Sequence, residues 1–166
     1  MKTQKLRRYL AAVALPVLFA TPSSSPATPN SGVVPAVIVN GQFGKLDVKT
    51  ESDKTDHWGL MVKSKDDTDV GSDRIGLQPG GVVGWHAHPA PVFVTVTKGS
   101  IVWFNGTDPV CPSQTFGVGQ SLIEGAYIIH SVRNASSSDP AEYVAIRMNP
   151  TGVPFRIDEP KPTNCR

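Results

Sequence analysis

The sequence predicts an all-β domain, and three observations carry that reading. From Val33 onward the chain falls into short segments rich in β-branched residues and separated by Gly, Pro, Asn or Asp. No stretch of ten or more residues shows the apolar period of an amphipathic helix. Fifteen Gly and 15 Pro supply a high density of turn residues. The 166 residues, 39% hydrophobic and 18% charged, suffice for one core and are too few for two ordinary domains. The composition also excludes a collagen, a coiled coil, a charge-rich disordered chain and a Cys-dense mini-protein.

The N-terminus reads differently. Lys2, Lys5, Arg7 and Arg8 precede an apolar run, Tyr9 to Ala20, and a stretch rich in Ser, Pro and Thr follows from Thr21 to Asn30. A basic start, a short apolar run and a polar exit make a secretory signal peptide over 1–20, ending near Ala20. The run is shorter than the roughly 18 residues that span a bilayer. Residues 21–32 hold few large apolar side chains and are expected as a flexible leader, with 33–166 as the folded domain of a secreted or periplasmic protein. Without the four N-terminal cations, twelve basic residues face fourteen acidic ones, and no basic cluster follows. Neither nucleic acid nor, after processing, a membrane is therefore an expected partner.

Ten strands are expected, in order Val33 to Val39, Lys45 to Lys49, Gly59 to Lys63, Asp73 to Gln78, Val82 to His88, Val92 to Thr97, Ser100 to Asn105, Ser121 to Glu124, Ile128 to Asn134 and Tyr143 to Met148. So many short strands suggest a closed barrel or a sandwich. The breaks carry turn chemistry: Pro79-Gly80-Gly81, a Lys98-Gly99 hairpin, Asn105-Gly106 with Asp108-Pro109, and Gly117 to Gly119. Lys63 to Asp73, with Asp66, Asp67, Asp69 and Asp73, reads as a solvated acidic loop rather than a cation site.

Export bears on the two cysteines, because thiols far apart in sequence most simply pair in an oxidising compartment. Cys111 and Cys165 are the expected disulfide, tying the C-terminal tail to a mid-chain loop. The alternative, two metal ligands, matches no zinc spacing.

Of the four histidines, His57 reads as structural or exposed, whereas His86 and His88 sit one residue apart in a strand-like segment. Positions i and i+2 of a strand share a face, so both imidazoles reach one point, as two ligands of a metal would. Gly80 precedes His86 by five intervening residues, Gly99 closes the next strand, and Gly119 precedes His130 by ten, with Asn134 following after three more. In these spacings the chain resembles a single-domain cupin. It is most similar to small exported bacterial cupins with Asp-His-Trp-Gly, Gly-Trp-His-x-His-Pro and Asp-Pro-x-Cys, found here at Asp56 to Gly59, Gly84 to Pro89 and Asp108 to Cys111, and with one Cys in a short tail, here Cys165.

The resemblance implies a jelly-roll-like cupin barrel with His86, His88 and His130 converging inside it on a divalent transition metal: iron, copper, zinc, nickel, cobalt or manganese. Where many cupins place a glutamate ligand this chain has Val92, so a three-histidine site without a carboxylate is expected. Similar three-histidine sites serve thiol dioxygenases. If Val92 faces inward, Val94 and Val96 do too, giving an apolar wall suited to a small organic molecule. Glu124 and Tyr127 are the candidate catalytic or supporting groups, and Asn134 is expected to hold the loop after the His130 strand. Pairing of two copies through an edge strand, Val33 to Val39, follows from the resemblance alone. Three functions stay open: a metal-dependent dioxygenase-like or isomerase-like enzyme, a non-catalytic module that binds metal or a small ligand, and a barrel whose histidines are only core residues.

Overall fold

The computed structural model describes residues 26–51 and 58–166. The proposed signal peptide, the first part of the leader and His57 lie outside the described residues. Eleven strands follow one another: β1 (Ser31–Phe43), β2 (Asp47–Glu51), β3 (Gly59–Lys63), β4 (Thr68–Ala87), β5 (Val92–Lys98), β6 (Ser100–Asn105), β7 (Ser113–Gly117), β8 (Ser121–Glu124), β9 (His130–Asn134), β10 (Ala141–Pro150) and β11 (Ile157–Asp158). There is no helix among the described residues, and hence none long and apolar enough to cross a membrane.

Nine strands form one sheet in the order β7-β6-β9-β4-β10-β5-β8, with β1 and β11 added to β4, and β2 and β3 make a separate antiparallel hairpin. The expected all-β barrel is therefore present, and β4 is its spine. Its first part, Thr68 to Leu77, pairs with β10 on one side and β1 on the other. Its last part pairs with β9 through Val82↔Arg133 and His86↔His130. The strand thus belongs to both halves of the barrel, β4-β10-β5-β8 and β4-β9-β6-β7.

Two turns expected from the sequence have other roles. Pro79-Gly80-Gly81 does not divide two strands but bends one, with Gly80 at φ +67° as the corner. Lys98-Gly99 does not close a hairpin, because β5 and β6 are not neighbours. Gly99, at φ +64° and with the Pro140 oxygen only 2.8 Å from where a Cβ would stand, carries the chain from one half to the other. β7 and β11 are additions to the expected set, the first hidden because Ser113–Gly117 is polar and the other because it is two residues long.

Inward alternation builds the core. Val92, Val94 and Val96 are each at most 3% exposed and pack with Leu77, Val83, Ile101 and Val132, while Phe93 between them is 42% exposed. The acidic segment is not wholly a solvated loop. Asp73 lies on β4, buried, and takes a 2.7 Å hydrogen bond from Arg147 Nε on β10. Breaking such a buried pair strands a charge away from water.

Residues expected in the leader lie against the barrel. Ser31 and Gly32 already belong to β1. Thr28 N donates to Glu159 O, and Asn30 Oδ1 accepts from Gly84 N at 2.9 Å. The approach is close enough that a Cβ on Gly84 would fall on the Thr28 carbonyl. At the other terminus Glu159 N donates to Trp85 O, β11 pairs with Ala87 and His86, and Cys165 forms a disulfide with Cys111 across 54 residues. The two cysteines are therefore bonded to each other, and neither is free for a metal.

The chain-entropy account values that closure at about 4 kcal/mol. Reduction, or the Cys111→Ser/Cys165→Ser double variant, should lower the melting temperature by about 10 °C in scanning calorimetry. An unchanged melting temperature would show that the tail is held by its backbone contacts alone.

Candidate metal centre

His86 is the last residue but one of β4, His88 directly follows that strand, and His130 opens β9 directly across from His86. Cross-strand partners share a face, so pairing brings together rings that stand 44 residues apart in the chain. The centroids lie 4.2 Å apart for His86 and His130, 4.8 Å for His86 and His88, and 5.1 Å for His88 and His130. All three histidines are buried.

Their orientation is fixed by the backbone. Each Nδ1 faces a carbonyl oxygen: Gly84 O at 2.8 Å for His86, Phe155 O at 2.7 Å for His88 and Ile128 O at 2.8 Å for His130. A carbonyl only accepts, so each Nδ1 carries the proton and donates it, which leaves the Nε2 lone pair facing inward. One ring nitrogen from each residue lies within 4.8 Å of the other two. His130 Nε2 is wholly buried and makes no hydrogen bond of acceptable geometry. Three lone pairs aimed at one buried point are a poor core but a good ligand set.

The structure corrects the expectation that no carboxylate is present. Val92 does occupy the inward position, but its cross-strand partner on β8 is Glu124, and paired residues share a face. Glu124 is buried, with Oε2 3.3 Å from His88 Nε2 and Oε1 3.2 Å from His130 Nε2. Burial opposes its ionisation, yet the His130 charge and the contacts with His130 and His88 prevail, holding the carboxyl well below the usual carboxylate range. Burial likewise opposes protonation of His130, but Glu124 prevails and raises it. His86 has no such partner: burial, then the neighbouring His130, Arg156 and His88, lower it to about 2, so its ring is neutral.

The other candidates divide. Tyr127 is 65% exposed and sits at φ +57° in the turn between β8 and β9. What it brings to the centre is its backbone N–H, which donates to His88 O at 2.8 Å. Asn134 does hold the following loop: Nδ2 donates to Asp139 O and Gln78 O, and Oδ1 accepts from Ser136 N. Sequence reasoning misses Tyr143 on β10, which is 5% exposed and lines the same cavity as His86, His88 and Glu124. Burial, with Glu124 adding to it, raises its hydroxyl and keeps it a neutral donor. The signal in the sequence is the alternation of Tyr143 with Ala141 and Ala145, which reads equally well as plain core.

The cavity measures about 370 Å³ and is walled by apolar residues such as Val33, Ile75, Val83 and Val92. A larger groove of about 550 Å³ runs between the β2–β3 hairpin and the outer face of the sheet, but no imidazole among the described residues lines it. The donor set fits an ion. Three neutral imidazoles and one carboxylate suit the divalent transition metals better than magnesium or calcium, which favour oxygen ligands throughout.

Trp103 lies 6.0 Å from the His130 ring and reports on the centre. Titration with Co²⁺ should quench tryptophan emission, and Trp103→Phe should remove most of the quenching. Undiminished quenching in that variant would place the ion elsewhere.

Comparison with known proteins bears on the same residues. Positions 74–147, which carry all three histidines and Glu124, match the Cupin domain family. No curated relative matches the sequence. Among solved structures, a double-stranded β-helix protein from Klebsiella pneumoniae subsp. pneumoniae aligns with TM-score 0.50 and 14% identity, over 86% of this chain and 97% of that one. A cupin domain from Bordetella pertussis Tohama I aligns with TM-score 0.46 and 17% identity, over 75% and 99%. Peruvianin-I, a cysteine peptidase from Thevetia peruviana latex, aligns with TM-score 0.46 and 22% identity over 54% of this chain and 56% of its own, so the shared part spans about half of that protein. The part of the barrel that gathers His86, His88, His130 and Glu124, residues 74–147, thus matches a cupin domain, within a fold shared with a double-stranded β-helix protein.

Proposed function

We propose that the protein is an exported, metal-dependent cupin enzyme that acts on a small organic molecule, holding one divalent transition metal through Nε2 of His86, His88 and His130. The observation that supports this most is the set of three Nδ1–H to carbonyl bonds, which turn the three Nε2 atoms toward one buried point. Iron, copper, zinc, nickel, cobalt and manganese all suit the set. Such an ion, when bound, supplies Lewis acidity and, for the redox-active members, one-electron chemistry of the dioxygenase-like kind.

The chain's own residues supply the rest. Glu124, ionised, places one negative charge beside the imidazoles and stands close enough to His88 and His130 to join them as a fourth ligand or to take a proton from a substrate. The valine and isoleucine wall excludes water from a reacting group and leaves room for a ligand of modest size. Tyr143 offers a neutral hydroxyl within the same space.

Elemental analysis of the purified mature protein should find close to one transition metal per chain. His86→Ala/His88→Ala should lose it, and Glu124→Gln should weaken it by about 10-fold or more. Once the metal is known, oxygen uptake and product screens with that ion decide between catalysis and the non-catalytic module, which would show ligand-induced thermal stabilisation without turnover. Absence of metal after reconstitution would refute the reading.

The cysteine pair is compatible with an oxidising compartment, and the basic and apolar start of the chain supports export. Intact mass of protein from the exported fraction should correspond to a chain beginning near residue 21. Retention of residues 1–20 there would refute cleavage.

A further inference from the structure

The segment that follows β10 contributes to the cavity in a way that the cupin match, ending at residue 147, does not cover. Phe155 gives His88 its carbonyl and stacks on its ring at 5.9 Å, and Arg156 lines the cavity beside it. Two arginines therefore face this space, and they differ in kind. Arg147 is committed: Nε is bonded to buried Asp73, Nη2 to Asn40, and the guanidinium lies over the Phe155 ring.

Arg156 is not. Its Nε donates to Asp158 Oδ1 at 2.6 Å, but Asp158 is 60% exposed, so water screens that pair. Nη2 makes only long bonds, 3.3 Å to Asn30 Oδ1 and 3.4 Å to Gly84 O, and Nη1 makes none among the described residues. Another polar group points the same way. The Tyr143 hydroxyl, on a side chain 5% exposed, has no hydrogen-bond partner among the described residues although it lines the cavity. A buried hydroxyl is normally satisfied, and here the open side is the cavity itself.

Charge adds a third argument. Asp73 and Arg147 cancel. A divalent ion against the single carboxylate of Glu124 leaves +1, and Arg156 adds to it. Resting on the metal reading above, we propose that the cavity takes a small carboxylic acid in its anionic form, the carboxylate held by Arg156 and a polar atom nearer the histidines bonded by the Tyr143 hydroxyl. A guanidinium offers a carboxylate paired N–H donors in one plane. The apolar wall then selects the body of the acid, and Arg156 and Tyr143 are specificity residues for this site.

The test uses the mature, metal-loaded protein and three acid and amide pairs: acetate and acetamide, lactate and lactamide, benzoate and benzamide. By calorimetric titration at least one acid should bind about 10-fold or more tightly than its amide. Arg156→Gln should abolish that preference while keeping the metal content of the wild type, and Arg156→Lys should restore part of it. Tyr143→Phe should weaken the acid and its amide by a similar factor. Equal binding of acids and amides, or a preference that survives Arg156→Gln, would overturn the proposal, and unchanged binding in Tyr143→Phe would remove that residue from it. The same titrations on metal-free protein, followed by NMR at residues 155–157, separate the two readings. An acid response there that disappears in Arg156→Gln upholds the anion subsite even if no metal binds, whereas its absence in both forms counts against the subsite whatever the metal content.

Discussion

The bend in β4 is the constraint on which the rest of the structure depends. A straight strand of twenty residues would exceed the usual length of a strand by a factor of about three and could serve only one sheet. With Gly80 at φ +67°, the same strand leaves the half that contains β10 and enters the half that contains β9. His86 and His88 are thereby carried into the space between the halves, where they face residues delivered by β8, β9 and β10. The members of the centre come from the end of β4 and from β8, β9 and β10. The cluster therefore exists only when the barrel is closed, and its geometry is as rigid as the barrel.

Within that frame two kinds of hydrogen bond divide the work. For His86 and His130 the orienting carbonyl is two residues back on the same segment, so each ring is set by its own backbone. For His88 it comes from Phe155, 67 residues away. The distinction is physical: a local bond forms with the strand, whereas the His88 bond needs the C-terminal segment in place. That segment is in turn held by β11 on β4, by Glu159 on Trp85 and by the disulfide at Cys165. The tail is thus a structural part of the histidine cluster, which gives a reason for the disulfide beyond stability.

What the sequence reveals and what it hides follow the same division between local and non-local information. The His86-x-His88 pair and the inward set Val92, Val94 and Val96 are legible because strand alternation is local. His130 is legible because its spacing from Gly119 and Asn134 is part of a family pattern. Glu124 is visible in the sequence as an acid near the site, but its place beside the imidazoles depends on the pairing of β5 with β8, strands separated by two others in the chain. No sequence period records that register, so Val92 suggests the loss of a carboxylate when its partner supplies one. Tyr127 and Tyr143 trade roles for the same reason. Tyr127 stands near Glu124 in sequence and points to solvent, while Tyr143 has the pattern of a core residue and lines the cavity. Pro79-Gly80-Gly81 reads as a break between strands because turn residues report a change of direction without saying whether the strand resumes.

The electrostatics of the cavity tie these observations together. A buried carboxylate is costly unless something offsets it, and Asp73 and Glu124 solve that problem in different ways. Asp73 has a fixed cation, Arg147, at 2.7 Å and nothing left to offer. Glu124 has no such cation: its two oxygens face the His88 and His130 imidazoles, which hold its carboxyl low while it raises His130. The nitrogen of His130 that faces Glu124 is Nε2, since Nδ1 already donates to Ile128 O. A divalent cation held by the three imidazoles would place positive charge against Glu124 and would give the three inward nitrogens a partner. The charge that is unsatisfactory in a plain core becomes favourable in a metal centre, and this is the physical reason to read the cluster as a site and not as packing.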